Sequence, residues 1–535
     1  MKTGKSADSN GICAEHFKYG VDEIVPVIVN IINKIFKDLD IPEKLKSGVV
    51  TSVLKPNKDK RYPENYRGIT VANTLSTIVE SILKERIEPK LLPIQSKLQR
   101  GFTEKSSSLN TAFIVTRAAE YCRETSDELY IITLDAQKAF DRLNHELLFN
   151  KLYHDGICGD LWILLRNMYR EVSVKVKWDN NLSKKVDVAL GIRQRAKLST
   201  MLYKRYNNNI LEALERSGMG VQIGNLRVVS PTCADDIAIL ACSKHEAQAL
   251  LEIALILTDK DLVRINPTKT DLVPLTRKAT NFELNMGANS IEQTNETKHL
   301  GLMRNSDNKI KVDERIRVGR KTIYALLGPG LHARQGTCPT ISYKIWKTYV
   351  IPRILYGVEV LNHTLTDIKK LERLQVQVQI CKQIQGLPER TAKLAAYSLL
   401  GVEPIELVVD RLTLTFLGNI LQDKTTIEFQ IVERQHAMMK TNTQNYANVI
   451  TNILRKYRLP ELYNILQDIP TKANWKKEIK DKIQEYWEKQ WIEEAKKRTS
   501  LKFLAIPKMG KTHYVWKTVP NDCIEVKKAE VKVRL

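Results

Sequence analysis

The sequence predicts an α+β chain whose second half is mostly helical. Three observations carry that expectation. Helical stretches alternate with a few short strands up to about residue 300. Two of those strands end in acidic residues. Beyond residue 300, apolar residues recur at helical spacing. The length of 535 residues corresponds to three or four domains at ~150 residues each. A composition of 43% hydrophobic and 27% charged residues is that of a globular chain.

In chain order, residues 1–45 read as a polar entry and then a helix over Val21–Phe36. There Ile24, Val27, Val29, Ile31, Ile32 and Ile35 are dense enough to be buried. Gly48–Leu54 is a short extended run. The basic loop Lys55–Pro63 follows, and its prolines argue against helix. Residues 74–93 are helical, with Leu75, Ile78, Ile82, Leu83 and Ile87 on one stripe. Glu128–Leu134 is a strand that runs into Asp135. Leu226–Ser230 and Ile237–Ala241 are strands flanking Cys233-Ala234-Asp235-Asp236, a hairpin with acids at its tip. Helices are expected around 143–171, 198–217 and 244–258, and amphipathic helices at 341–361 and 366–385. In 475–496, Trp475, Ile479, Ile483, Trp487, Trp491 and Ala495 recur every four residues, with Asn474 as N-cap. That stripe is read as a packing face rather than a base-stacking surface, because any buried helix shows this period.

Lys and Arg number 84 against 61 Asp and Glu, a formal charge of +23. An excess of this size makes nucleic acid the default partner. The cations are dispersed rather than gathered beside an apolar anchor, which argues against a membrane surface. No run of ~18 apolar residues is present to span a bilayer. The eight cysteines contain no C-x-x-C pair and precede no H-x-x-x-H, so a zinc module is not supported. A reducing, intracellular setting is expected.

Asp135, Asp235 and Asp236 are the candidate catalytic residues. Each stands at the end of an apolar strand-like run. If those strands are neighbours, the carboxylates converge at one sheet edge and repel unless cations neutralise them. Mg²⁺ prefers such oxygen ligands and keeps positions open for phosphate oxygens. Two ions ~4 Å apart serve an in-line displacement at phosphorus. The competing reading is that Asp235-Asp236 is only a turn, where Asp is common.

The motifs carry a resemblance. Leu134-Asp135-Ala136-Gln137-Lys138-Ala139-Phe140-Asp141, Gly191-Ile192-Arg193-Gln194, Cys233-Ala234-Asp235-Asp236, Asn266-Pro267-Thr268-Lys269-Thr270 and Lys298-His299-Leu300-Gly301 occur in that order. Asn65-Tyr66-Arg67-Gly68-Ile69-Thr70 and Gln99-Arg100-Gly101-Phe102 precede them, and Trp346-Lys347-Thr348-Tyr349 with Tyr356-Gly357 follows. Over residues 1 to about 420 the chain resembles the reverse transcriptase of non-LTR (LINE-type) retrotransposons. The resemblance implies a right-hand polymerase with an N-terminal helical extension at 1–45, and fingers and palm at 46–285. It further implies a helical thumb or connection at 286–420, and leaves a basic helical region at 421–535.

The implied activity is RNA-directed DNA polymerisation, a nucleotidyl transfer from dNTP to a primer 3′-hydroxyl on an RNA template. Asp135, Asp235 and Asp236 would hold two Mg²⁺, with Mn²⁺ as a substitute. Phe140 would exclude a nucleotide 2′-hydroxyl, Gln194 would contact nucleotide and template, and Lys269 would sit near the phosphates. Arg67 and the loop containing Lys60 would clamp the triphosphate. The implied partners are RNA template, DNA primer or target, and dNTP, without a membrane. The implied location is the nucleus or cytoplasm, as a ribonucleoprotein.

Three positions depart from the motifs: Arg195 replaces a Gly, Thr200 replaces a Pro, and Cys233 replaces an aromatic residue. These departures carry the alternative reading, a catalytically impaired nucleic-acid-binding remnant. Residues 1–45 are too few to fold as the endonuclease that often precedes such polymerases, so a truncated copy is expected.

Overall fold

The computed structural model describes all residues except 1, 2, 5, 6, 9, 57, 180, 194, 195, 279, 328–337, 374–377, 439–444, 502–507, 520, 521 and 535. Its centre is a four-stranded antiparallel sheet in the order Asp271–Pro274, Tyr130–Asp135, Asp236–Ala241, Thr232–Cys233. The two middle strands are nearly continuous apolar runs, and Ile131, Ile132, Ile239 and Leu240 are wholly buried. Such runs form strands covered on both faces. The helices Ser108–Thr125 and Lys244–Lys260 pack against this region. Each starts where its sequence dictates. Ser107 and Asn110 form a capping box, and the Ser243 hydroxyl accepts from the Glu246 amide at 3.1 Å.

A second sheet lies toward the N-terminus. Gly48–Leu54 pairs antiparallel with Tyr66–Ala72 and parallel with Ser173–Trp178. The basic loop from Lys55 closes that hairpin, with the Lys55 amide on the Asn65 carbonyl at 2.8 Å. Among its described residues the loop contains no helix until the short turn Pro63–Asn65, in line with its prolines.

Several elements differ from expectation. The helix Val21–Asp38 forms, but only Ile32 and Ile35 are buried, while Val21, Val25, Val27, Val29 and Ile31 stand exposed. Apolar density set the expectation, yet the described residues supply neighbours only to the C-terminal turns. The stretch 143–171 is two helices, His145–His154 and Asp160–Tyr169. The break holds Gly156 and Gly159, both at positive φ. Leu226–Val228 does not pair within the acidic hairpin but with Val221–Ile223. The hairpin arm is Thr232–Cys233. Residues 229–231 still run beside the other arm, since Leu240 donates to Val229 and Ala238 to Pro231. Two further hairpins were unforeseen: Glu283–Met286 with Asn289–Glu292, and Glu296–His299 with Leu302–Asn305.

Beyond residue 311 every named element is a helix. The longest is Lys472–Lys496, capped by Thr471 rather than Asn474, whose amide the Thr471 hydroxyl accepts. Trp475, Ile479, Ile483 and Trp491 of its stripe are buried, so the stripe is a packing face. Trp475 seats on Gly418 of the Ile405–Ile420 helix and donates its indole N–H to Leu414 at 2.9 Å. One apolar core runs from Ile131 in the central sheet to Trp516 near the C-terminus. A second core, containing Leu83, Phe149, Leu164 and Tyr206, lies between the N-terminal helices and the Ser199–Arg216 helix. Among the described residues no helix is long and apolar enough to cross a membrane.

Candidate active site

Register brings the carboxylates together. Asp135 ends its strand directly opposite Asp236, and Asp235 occupies the turn just before. The turn is tight: Cys233 pairs with Asp236, and Ala234 takes the left-handed conformation at φ 63°. The three acids therefore crowd one end of two central strands. Their mutual charge is visible in their proton affinities. Burial raises the Asp235 pKa, and the Asp135 charge adds to the rise while Arg67 opposes it. Asp236 is pushed up to about 6, first by burial and then by the Asp235 and Asp135 charges. Cys233 beside them rises to about 11, first by burial and then by the Asp236 and Asp235 charges.

Lys269 reaches this cluster from a neighbouring segment. The Asn266 amide donates to the Asp135 carbonyl at 2.9 Å, and Pro267–Lys269 forms a short helical turn. That turn sets the Lys269 Nζ 3.0 Å from Asp135 Oδ2. Both side chains remain partly open to solvent, 63% for Lys269 and 38% for Asp135. This openness leaves the pair free to exchange partners. Arg67, on the exposed side of the Tyr66–Ala72 strand, is near enough for its charge to act on Asp235.

Phe140 lies flat on Tyr203, ring centroids 4.4 Å apart and planes 18° apart. Phe102 meets Phe140 edge-on at 6.1 Å. Tyr203 is buried, and its hydroxyl is pushed well above the ordinary range by burial and then by the Asp235 and Asp236 charges. The Phe140–Tyr203 stack thus lies within reach of the carboxylates' charge.

The flanks of the next motif are held firmly. Gly191 donates to Leu143 at 2.7 Å and Ile192 to Phe140 at 2.8 Å. Gly191 has φ 83°, and a Cβ there would lie 2.6 Å from the Asp141 carbonyl oxygen, so only glycine fits. Arg193 faces the buried Glu80 at 3.8 Å. Gln194 and Arg195 lie outside the described residues. Lys60 is exposed on its loop, where its carbonyl accepts from the Tyr66 hydroxyl at 2.9 Å.

The structure therefore gathers Asp135, Asp235, Asp236, Lys269 and Arg67, with Phe140 connected through Tyr203. It records no contact of Lys60 with the carboxylates. Sequence reasoning missed Tyr203 as the platform for Phe140 and Phe102 as its edge-on neighbour. Phe102 ends the Gln99–Phe102 motif, but which ring meets which depends on tertiary geometry.

Residues 53–303 match the family model described as reverse transcriptase (RNA-dependent DNA polymerase). The Pol polyprotein of the type-2 retrotransposable element R2DM of Drosophila melanogaster is 22% identical over 456 residues, covering 82% of this chain and 42% of that protein. The transposon TX1 149 kDa protein of Xenopus laevis is 24% identical over 272 residues, covering 50% of this chain and 21% of that protein. The RNA-directed DNA polymerase from mobile element jockey of Drosophila funebris is 23% identical, covering 69% of this chain and 40% of that protein. The chain spans less than half the length of each of these relatives. Among solved structures, telomerase from Candida albicans in complex with a fragment of telomeric RNA aligns with TM-score 0.35 and 12% identity, over 83% of this chain and 68% of that one. The acids at the sheet edge thus lie inside the matched segment, and residues 53–303 are similar to the reverse transcriptase domain of these retrotransposon proteins.

Proposed function

We propose that this chain is an RNA-directed DNA polymerase, extending a DNA primer on an RNA template with dNTPs. One observation carries the reading. Asp135, Asp235 and Asp236 meet at one sheet edge inside the matched segment, with Lys269 paired to Asp135 and Arg67 near enough for its charge to act on Asp235. Reverse transcriptases use divalent metal ions, and the donor set fits one. The three groups are carboxylates, the oxygen donors that hard cations prefer. Burial, and after it their crowding, raises proton affinity at Asp235 and Asp236, and an ammonium is already drawn to Asp135. Among the described residues no three or more His, Cys, Asp or Glu side chains are gathered closely enough to hold a metal ion together. Asp135 and Asp235, assisted by Asp236, would hold Mg²⁺ or Mn²⁺. When bound, such ions would stabilise charge on the reacting phosphate and on the attacking oxygen.

The remaining work falls to the chain. The primer 3′-hydroxyl gives up its proton to solvent water, and its oxygen bonds the α-phosphorus while the bond to the β-phosphate breaks and pyrophosphate leaves. Lys269 and Arg67 bind triphosphate oxygens and hold the nucleotide in line. Phe140, fixed on Tyr203, closes the space that a 2′-hydroxyl would need. The excess of 84 basic over 61 acidic residues holds template and primer through their backbones. The proposed division is fingers and palm at 46–285, thumb or connection at 286–420, and a basic helical region at 421–535. The proposed setting is intracellular, as a ribonucleoprotein in the nucleus or cytoplasm.

Primer extension on a primed RNA template tests the reading. Extension that depends on Mg²⁺ or Mn²⁺ and vanishes in Asp235→Asn is the expected result. No extension by the unaltered chain, with RNA binding intact, would overturn it and leave a nucleic-acid-binding remnant.

A further inference from the structure

The turn that carries Asp235 and Asp236 is held by a side chain from a different part of the chain. Gln99 is 1% exposed. Its carboxamide grips both polar groups of Ala234. Gln99 Nε2 donates to the Ala234 carbonyl at 3.1 Å, and Gln99 Oε1 accepts from the Ala234 amide at 2.9 Å. The same Oε1 also accepts from the Gly101 amide at 2.9 Å. Ala234 is the left-handed residue of the turn, at φ 63°, immediately before Asp235. A non-glycine residue in that conformation is strained and persists only where its surroundings hold it.

The backbone around Gln99 is itself anchored. Arg100 donates to the Thr232 carbonyl at 2.8 Å and Thr232 donates to Leu98 at 3.0 Å, so Gln99 forms an isolated parallel bridge to Thr232 of the hairpin arm. The Gln99 carbonyl accepts from Thr103 Oγ1 at 2.9 Å and from Gln95 Nε2 at 3.2 Å. Next to it, the Arg100 guanidinium lies 2.8 Å from the Glu428 carboxylate, an ion pair whose acid is 1% exposed. Glu428 belongs to the Ile427–Ala437 helix. The loop is therefore tied both to the central sheet and to the C-terminal helices.

We propose that Gln99 is a positioning residue for the carboxylate turn. It fixes Ala234 so that Asp235 and Asp236 face Asp135 before any ligand arrives. The inference rests on the proposed polymerase reading for its catalytic consequence, but not for the grip itself. Gln99 touches no reacting atom and acts only through the turn.

Gln99→Met keeps the volume and removes all three hydrogen bonds. Gln99→Asn keeps the amide but is one methylene too short to hold both groups of Ala234. Three measurements are made on each full-length variant. Amide hydrogen exchange across residues 233–236 is expected to accelerate about tenfold or more as the grip is lost. Mn²⁺ binding, followed by paramagnetic resonance of the free ion, is expected to weaken. In primer extension, kcat is expected to fall by up to about 100-fold, the penalty for a misplacement near 1 Å. The dNTP KM should stay within about twofold, because nucleotide binding is not removed. Unchanged exchange and unchanged kcat in both variants, or a lowered melting temperature as the only change, would overturn the proposal. If the unaltered chain does not extend primers, the polymerase reading fails. The exchange and Mn²⁺ measurements then still decide the role of Gln99.

Discussion

Replacing Gly101 with alanine is the sharpest test of how tightly the carboxylate turn is built. A Cβ at residue 101 would sit 2.0 Å from the Ala234 nitrogen, 2.7 Å from the Ala234 Cα and 2.7 Å from the Cys233 carbonyl carbon. Ordinary contacts begin near 3.4 Å. The turn must therefore retreat by more than an ångström, and every atom in the way is backbone, so no side chain can swing aside. Gly101 does not have a positive φ, so alanine brings no backbone strain of its own. Overpacking of this kind costs about 1–3 kcal/mol of stability. A 1 Å displacement of reacting groups costs about 100-fold in rate, near 2.7 kcal/mol at the transition state. Gly156→Ala supplies the control. Gly156 has φ 81° with no atom within 4 Å of a Cβ, so alanine there strains the backbone without displacing a neighbour. That strain costs about 1–2 kcal/mol. The two variants thus lose similar stability for different reasons. Single-nucleotide extension, measured below both melting temperatures, is expected to show near-normal kcat for Gly156→Ala and a fall of about two orders of magnitude for Gly101→Ala. Equal kcat in the two variants would refute the claim that the turn's position sets the rate.

Two further outcomes follow from the geometry. Lys269→Met removes the 3.0 Å pair with Asp135, but both partners are partly solvated, so stability should change by only about 0–1 kcal/mol. Loss of a charged hydrogen bond to the triphosphate is worth at least ~1.5 kcal/mol, so dNTP KM should rise about tenfold. A calorimetric melt and a dNTP titration separate the two, and an unchanged KM would remove Lys269 from the nucleotide site. His299 is buried, and burial followed by the Arg304 charge lowers its pKa to about 3. The unfolded chain, with an ordinary value near 6.5, binds more protons between those limits. Stability is therefore lost as pH falls from about 6.5 toward 3. His299→Phe should flatten the decline of melting temperature across that window, and an unaltered slope would refute the assignment.

Much of the fold was legible because its elements carry their own local signals. The runs ending at Asp135 and starting at Ile237 are apolar and β-branched, and they form the buried middle strands of the central sheet. The Lys472–Lys496 helix shows its packing face as a four-residue period. The misses share a different character. Apolar density in Val21–Asp38 says nothing of whether a partner covers its first turns, and none of the described residues buries Val25 or Val27. Leu226–Val228 reads as an arm of the acidic hairpin by proximity in sequence, but the glycine turn at Gly224 pairs it with Val221–Ile223 instead. The site was legible as a set of acids, since strand ends place them. Its supports were not, because Gln99 and Tyr203 act through partners more than sixty residues away, Ala234 and Phe140.

That separation has a physical cause. Packing three carboxylates at the end of two buried strands opposes folding, since burial and mutual charge raise Asp235 and Asp236 above the ordinary carboxylate range. Left to local forces, the turn would relax by rotating the acids outward into water. Ala234 cannot hold it, because its left-handed conformation is itself strained. The restraint must come from outside the hairpin, and it must be rigid. Gln99 supplies it, on a loop that pairs with the Thr232 backbone and carries the Arg100–Glu428 ion pair. Breaking a buried pair on one side leaves an uncompensated charge and costs about 3–5 kcal/mol, so the loop does not readily leave its seat. The helical C-terminal region thereby contributes to the site without lending it a reacting group: Glu428 holds Arg100, and Arg100 keeps Gln99 against the turn.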